Sequence, residues 1–243
     1  MLILFDIDGT MLSSEGVGVR SIEQTGEGMF GKPFSLSCMP IGGRLDPLIW
    51  EDACERHGIE DHALLHDDFR SKYTEILRDN LKETKVKVLP GVIKLLASLQ
   101  QGGHTLGLVT GNYEETGLMK LEAAGIDTTH FVANAWGTDG NVRADLPPHA
   151  IAKHHKHEPV VLLGDTVHDV TSGHGAGCRV IAVCTGSHDR ATLESVKPDL
   201  LVEDLSDTEA ILKWMQLETR QFLFKNALVL SMCFAALQFL EFC

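Results

Sequence analysis

Leu2-Ile3-Leu4-Phe5-Asp6-Ile7-Asp8-Gly9-Thr10 opens the chain with an apolar run that ends in two carboxylates two residues apart. The run reads as a buried strand with Asp6 and Asp8 at its tip. Side chains alternate along a strand, so the two carboxylates can point the same way, and Gly9 frees the backbone to turn behind them. That arrangement has the form of a reaction centre. An acidic turn after an edge strand is the ordinary alternative, because Asp and Gly are common turn residues.

Similar short apolar runs recur at Thr105 to Val109, Val160 to Leu163, Val180 to Val183 and Leu200 to Val202, with helical stretches between them. This alternation predicts an α/β fold, a Rossmann-like parallel sheet flanked by helices. Val92, Leu95, Leu96 and Leu99 follow helical spacing after Pro90-Gly91, and Gly102-Gly103 stops that helix before the next strand. In such sheets ligands bind beyond the carboxyl ends of the strands, where Asp6, Thr110 and Asp165 all fall. Between the first strand and Pro90 the pattern turns helical, around Val17 to Phe30, Asp46 to His57 and His62 to Asn80, with no evident strand interrupting these segments. A plain loop of that length is rare, so the segment reads as an inserted subdomain placed to cover the site. The expected division is a catalytic core of residues 1-14 and 84-217, a helical cap of residues 15-83, and a hydrophobic tail or helix at 218-243.

The tail is apolar from Ala227 to Leu240 apart from Ser231 and Gln238, and its uncharged stretch lies between Lys225 and Glu241. That is short of the roughly 20 residues of a spanning helix, so a non-spanning helix is favoured over a membrane contact. A monomer and a homodimer are both compatible with it.

The 243 residues are 44% hydrophobic, enough for a packed core, and carry 34 acidic against 21 basic side chains for a net charge of -13. Such a surplus repels a polyphosphate backbone, which argues against nucleic acid as a partner. A small anionic substrate stays compatible, since local cations and backbone amides can outweigh a diffuse field. The six cysteines form no Cys-x-x-Cys pair and no secretory leader precedes Asp6, so reduced thiols and a cytoplasmic location are expected. His154-His155-Lys156-His157 reads as a solvated helix end rather than a metal site.

Three further stretches carry chemistry. Leu108-Val109-Thr110-Gly111-Asn112 ends a strand in a hydroxyl and two amides before a helix that starts near Tyr113. These groups suit an oxyanion, although Thr and Asn also serve as plain helix caps. Val160-Val161-Leu162-Leu163-Gly164-Asp165-Thr166-Val167-His168-Asp169 ends a strand in one carboxylate and places another four residues later, on one helical face. Like charges brought close to Asp6 cost about 4 kcal/mol per pair at an effective dielectric of about 20, so a cation belongs among them. Oxygen-only ligation by Asp6, Asp8, Asp165 and Asp169 points to Mg2+, a hard ion that shares its shell with substrate phosphate. The third stretch, Asn141-Val142-Arg143-Ala144-Asp145-Leu146-Pro147, offers a side-chain cation, with Lys120 as its rival and a surface role open for either.

In this order the four stretches resemble the haloacid dehalogenase superfamily of phosphohydrolases, with its Asp-x-Asp-x-Thr, Ser/Thr, Lys/Arg and Gly-Asp-x-x-x-Asp motifs. The likeness extends over most of residues 1 to 215. It is greatest toward phosphoglycolate phosphatases and their neighbours, whose cap segment Gly42-Gly43-Arg44-Leu45-Asp46 resembles. Arg143 stands where many relatives have Lys followed by Pro. The resemblance implies a phosphomonoesterase acting on a small phosphorylated metabolite. Asp6 would be the nucleophile and form an aspartyl-phosphate, Asp8 the acid and then the base. Thr110, Gly111 and Asn112 would hold the phosphoryl group, with Arg143 neutralising charge. In that scheme Asp8 needs a raised pKa, and the negative charge of Asp6 and substrate pushes it that way. Arg44 is a candidate for gripping a second anionic group of the substrate, or else a salt-bridging arginine. A phosphomutase of the β-phosphoglucomutase type and a non-catalytic binding protein on the same fold are the alternatives.

Overall fold

Leu2–Phe5 (β1) is buried at every position, and its side chains feed two different cores. Ile3 and Phe5 pack with Leu95, Leu99, Leu121 and Ile211, while Leu2 and Leu4 pack with Leu146, Val170 and Leu193. That division is what a central strand covered by helices on both faces requires. The structure, a computed structural model, describes residues 1-154, 158-219 and 222.

After β1 come β2 (Leu12–Ser13), β3 (Lys87–Val88), β4 (Thr105–Leu108), β5 (Val160–Gly164), β6 (Arg179–Val183) and β7 (Leu200–Val202). The main sheet has the order β4-β1-β5-β6-β7, with every neighbouring pair parallel. The chain visits β4 on one side of β1 and then β5 on the other. The winding therefore reverses at β1, which opens a crevice beyond its carboxyl end. This is the Rossmann-like α/β architecture expected from the apolar runs.

The helices α1 (Val17–Phe30), α2 (Asp46–Arg56) and α3 (His62–Glu83) fill the segment between β2 and β3. They share a core of their own, with Val17, Ile22, Phe34, Trp50, Phe69, Tyr73 and Leu77 in it. Trp50 and Phe69 stack with ring centroids 3.9 Å apart. Tyr113, which comes from the loop after β4, is buried in this same core. The inserted segment leaves and rejoins the sheet domain through β2 and β3, an antiparallel pair with Leu12 opposite Val88. No strand interrupts the three helices, as expected, and the two flanking strands are ones the sequence reading did not anticipate. Two residues are too few to show an alternating pattern, and only their mutual pairing creates them.

The remaining helices are α4 (Val92–Gln101), α5 (Glu114–Ala123), α6 (Leu146–Ala152), α7 (Val167–Gly175) and α8 (Arg190–Ser195), followed by a helical stretch at 208-219. Core side chains place α4, α5 and 208-219 on the Ile3 face, and α6, α7 and α8 on the Leu2 face. Most of the His154 to His157 cluster and nearly all of the apolar tail lie outside the described residues. Among the described residues no helix is long and apolar enough to cross a membrane.

Candidate active site

The register of the sheet assembles the site. Phe5 lies opposite Leu108 on one side and Leu163 on the other, so Asp6 emerges between the ends of β4 and β5. Asp165 follows β5 directly, and Asp169 sits in the first turn of α7. Carboxylate oxygens of Asp6, Asp165 and Asp169 lie within 4.8 Å of one another, and all three residues are buried. Arg143, in a 3-10 turn just before α6, reaches the group from the side. Its Nη2 donates to Asp6 Oδ1 at 2.9 Å, to the Val109 carbonyl at 3.0 Å and to Asp169 Oδ1 at 2.5 Å.

Each carboxylate is oriented by further donors. Asp169 Oδ2 accepts from the Thr166 amide at 3.0 Å and hydroxyl at 2.6 Å, which also caps α7. Asp165 Oδ2 accepts from the Ser187 amide at 2.8 Å, and its Oδ1 takes a long 3.4 Å bond from Thr10. Gly9, with φ of +80°, leaves room for this carboxylate, because a Cβ there would lie 2.7 Å from Asp165 Oδ2. Three carboxylates against one guanidinium leave an excess of buried negative charge. Burial pushes Asp6 up to about 8, with Arg143 pulling it down and Asp169 and Asp165 pushing it further up. Asp165 rises to about 6 through burial and the Asp169 charge.

Asp8 has different company. Its Oδ2 accepts from Lys120 Nζ at 2.7 Å and Asn112 Nδ2 at 2.9 Å, and its Oδ1 accepts from Ser14 at 3.3 Å. Lys120 also donates to Asn112 Oδ1 at 2.6 Å. Burial alone would raise Asp8, but the Lys120 charge and these hydrogen bonds outweigh it and hold the carboxyl below its usual range. This is opposite in direction to the expectation from Asp6 and substrate alone, which left out the ammonium supplied by α5. The side chain of Asp8 is 40% exposed, so part of that stabilisation is screened. The two rival cations are thus both present, Arg143 on Asp6 and Lys120 on Asp8. Asn112, Thr116 and Lys120 recur every four residues, a spacing that puts them on one helical face and hints at the pairing.

Thr110 is buried, and its Oγ1 accepts from Asn112 Nδ2 at 2.7 Å. Gly111 lies so near the inserted segment that a Cβ would stand 1.9 Å from the Arg44 carbonyl oxygen. Only glycine permits that approach. Arg44 itself pairs with Asp52 at 2.5 Å, and its Nε is buried with no hydrogen-bond partner among the described residues. Two residues of the inserted segment were not read as site residues from the sequence. They are Asp46, whose Oδ2 accepts from the Tyr113 amide at 3.3 Å, and the buried Tyr73. A cavity of about 330 Å³ separates the two halves. Asp6, Asp8, Thr110, Lys120, Arg143 and Asp165 line it from below, and Val19, Ile22, Ile41, Arg44, Ile49 and Tyr73 from above.

A family model described as haloacid dehalogenase-like hydrolase matches residues 3–183. The chain is 25% identical over 217 residues to pyrophosphatase PpaX of Halalkalibacterium halodurans, covering 84% of this chain and 93% of that protein. It is likewise 25% identical to PpaX of Bacillus pumilus over 222 residues, covering 86% and 94%. Among solved structures, one described as a predicted phosphoglycolate phosphatase from Haemophilus somnus superposes with a TM-score of 0.67 at 24% identity, covering 87% and 97%. CbbY from Rhodobacter sphaeroides in complex with phosphate superposes with a TM-score of 0.66 at 20% identity, covering 85% and 95%.

Proposed function

The chain belongs to the haloacid dehalogenase-like hydrolase family, and on that premise, for a phosphatase of that family, we propose magnesium-dependent hydrolysis of a small phosphate monoester through an aspartyl-phosphate on Asp6. The observation that carries the proposal is the Arg143 bond to Asp6 Oδ1, which orients the carboxylate and leaves its other oxygen to attack phosphorus. Attack forms the Asp6 O–P bond while the P–O bond to the leaving group breaks, with Asp8 giving the leaving oxygen its proton. Asp8 then takes a proton from the water that attacks phosphorus and frees Asp6. A phosphoryl dianion entering beside Asp8 adds negative charge and pushes that carboxyl back up from its Lys120-stabilised state. Thr110 and the Gly111 and Asn112 amides, at the amino end of α5, are assigned to the phosphoryl oxygens.

The donor set suits a divalent ion: three buried carboxylates, whose charge the single Arg143 guanidinium does not balance, and no softer ligand in the group. Asp6 and Asp165 would hold Mg2+, with Asp169 beside them, while the Asp8 side chain is turned to Lys120. When bound, the ion supplies charge stabilisation to the phosphoryl oxygens. We assign residues 15-83 as the cap and 1-14 with 84-217 as the catalytic core. The apolar roof and modest volume of the cavity favour a compact leaving group, with Arg44 the candidate contact for a second anionic group. Magnesium-dependent hydrolysis of an aryl phosphate tests the reaction. A screen that includes phosphoglycolate and pyrophosphate tests the substrate class. Release of free phosphate, without an isomeric phosphate ester, separates hydrolysis from mutase chemistry.

Two outcomes follow from the electrostatics. Asp6 carries a folded-state pKa of about 8 against the usual 3.8, so between these values the native state holds a proton that the unfolded state lacks. Metal-free protein should therefore gain stability as pH falls from about 8.5 to 6, by up to ~1.4 kcal/mol per pH unit. Magnesium should raise the melting temperature more at the higher pH; equal shifts at both would argue against an ion on Asp6. Lys120→Met should let Asp8 rise. The basic limb of the kcat/KM pH profile, where the general acid loses its proton, should then move upward and turnover fall by about 10- to 100-fold. An unmoved limb would remove Lys120 from the control of Asp8.

A further inference from the structure

We propose that Asp46 is a positioning residue that seats the Gly111–Tyr113 loop, so that docking of the inserted helices completes the phosphoryl pocket instead of only covering it. The inference rests on the assignment of that loop to the phosphoryl group made above. Asp46 grips the loop at two points, its amide donating to the Gly111 carbonyl at 2.7 Å and its Oδ2 accepting from the Tyr113 amide at 3.3 Å. The two bonds straddle Asn112, whose side-chain amide holds both Asp8 and Lys120.

Asp46 is the first residue of α2, yet its carboxylate does not serve its own helix. The N-cap of α2 is Leu45, with no side-chain capping bond. The carboxylate sits instead at the amino end of α5, where Tyr113 is the N-cap and has no capping side chain of its own. It does so while buried and in no ion pair among the described residues, an arrangement whose cost shows in a pKa pushed up to about 6 by burial. On the opposite side the loop meets Gly137, whose amide donates to the Asn112 carbonyl at 2.8 Å. A Cβ at Gly137 would lie 2.1 Å from the Gly111 carbonyl oxygen. The loop is thus clamped between the sheet domain and the insertion. Burial of Tyr113 in the insertion's own core ties the same loop a third time.

The test uses the full-length protein with magnesium and reads binding of inorganic phosphate by isothermal titration calorimetry, which needs no turnover. Asp46→Ala should weaken phosphate binding by about tenfold, the size expected for losing a charged hydrogen bond that orders the loop. Asp46→Asn keeps an acceptor for the Tyr113 amide and should stay within about twofold of wild type. Glu55→Gln, an exposed change on the same helix, should be silent. Should Asp46→Ala fail to fold by circular dichroism, Asp46→Ser, with a shorter side chain, carries the same expectation. Wild-type affinity in the Ala or Ser variant, or an Asn variant as weak as Ala, would overturn the proposal. A wild-type protein that binds phosphate but hydrolyses no phosphate ester would instead overturn the functional reading and leave this one standing.

Discussion

Asp6→Asn is expected to lower turnover of any phosphate ester by about four orders of magnitude or more, as loss of a nucleophile does. The same change should raise the melting temperature of metal-free protein at pH 8.5. An amide cannot ionise, so the substitution removes a buried charge that Asp165 and Asp169 repel, while its oxygen still accepts from Arg143. The gain should fade at pH 6, where wild-type Asp6 already holds a proton. Activity and stability moving in opposite directions is the signature of a group held for chemistry. A variant that is both inactive and unstable at every pH would mark Asp6 as structural.

Arg143→Met should have the largest effect on stability. It strips Asp6 and Asp169 of their shared buried partner, and breaking such a pair costs about 3–5 kcal/mol. In a chain of this size that lowers the melting temperature by roughly 10 °C. Magnesium should restore part of the loss, because a divalent ion can replace the missing positive charge. Turnover at saturating magnesium should still fall about 100- to 1000-fold, since the ion cannot orient Asp6 Oδ1 as the guanidinium does. Calorimetric melts with and without magnesium, paired with steady-state rates, check both halves. A melting temperature within a few degrees of wild type would contradict the picture of an overcharged carboxylate cluster.

The sheet was legible because Leu2 to Phe5 and Val180 to Val183 are apolar runs whose burial needs no partner to predict it. The helices α1, α2 and α3 were legible from the same kind of local pattern. The grouping of Asp6, Asp165 and Asp169 followed, since each closes a strand or opens the helix after one, and a parallel sheet brings those ends to one edge. What stayed hidden depends on distance along the chain. β2 and β3 exist only through their pairing across the insertion. Lys120 finds Asp8 because α5 turns Lys120 toward the site, where Asn112 just before the helix also meets it, a rotation set by packing on the Ile3 face. Asp46 meets Gly111 and Tyr113 only once the insertion has docked, and nothing near it in sequence signals those partners.

In the proposed reaction phosphorus passes through the Asp6 carboxylate. Quenching the wild-type protein with borohydride during magnesium-supported turnover of an aryl phosphate reduces an acyl-phosphate to the alcohol, which peptide mass spectrometry can locate. Reduction is expected at Asp6, dependent on both substrate and magnesium. An unmodified Asp6 in an enzyme caught turning over, or reduction at another carboxylate such as Asp8 or Asp165, would contradict it.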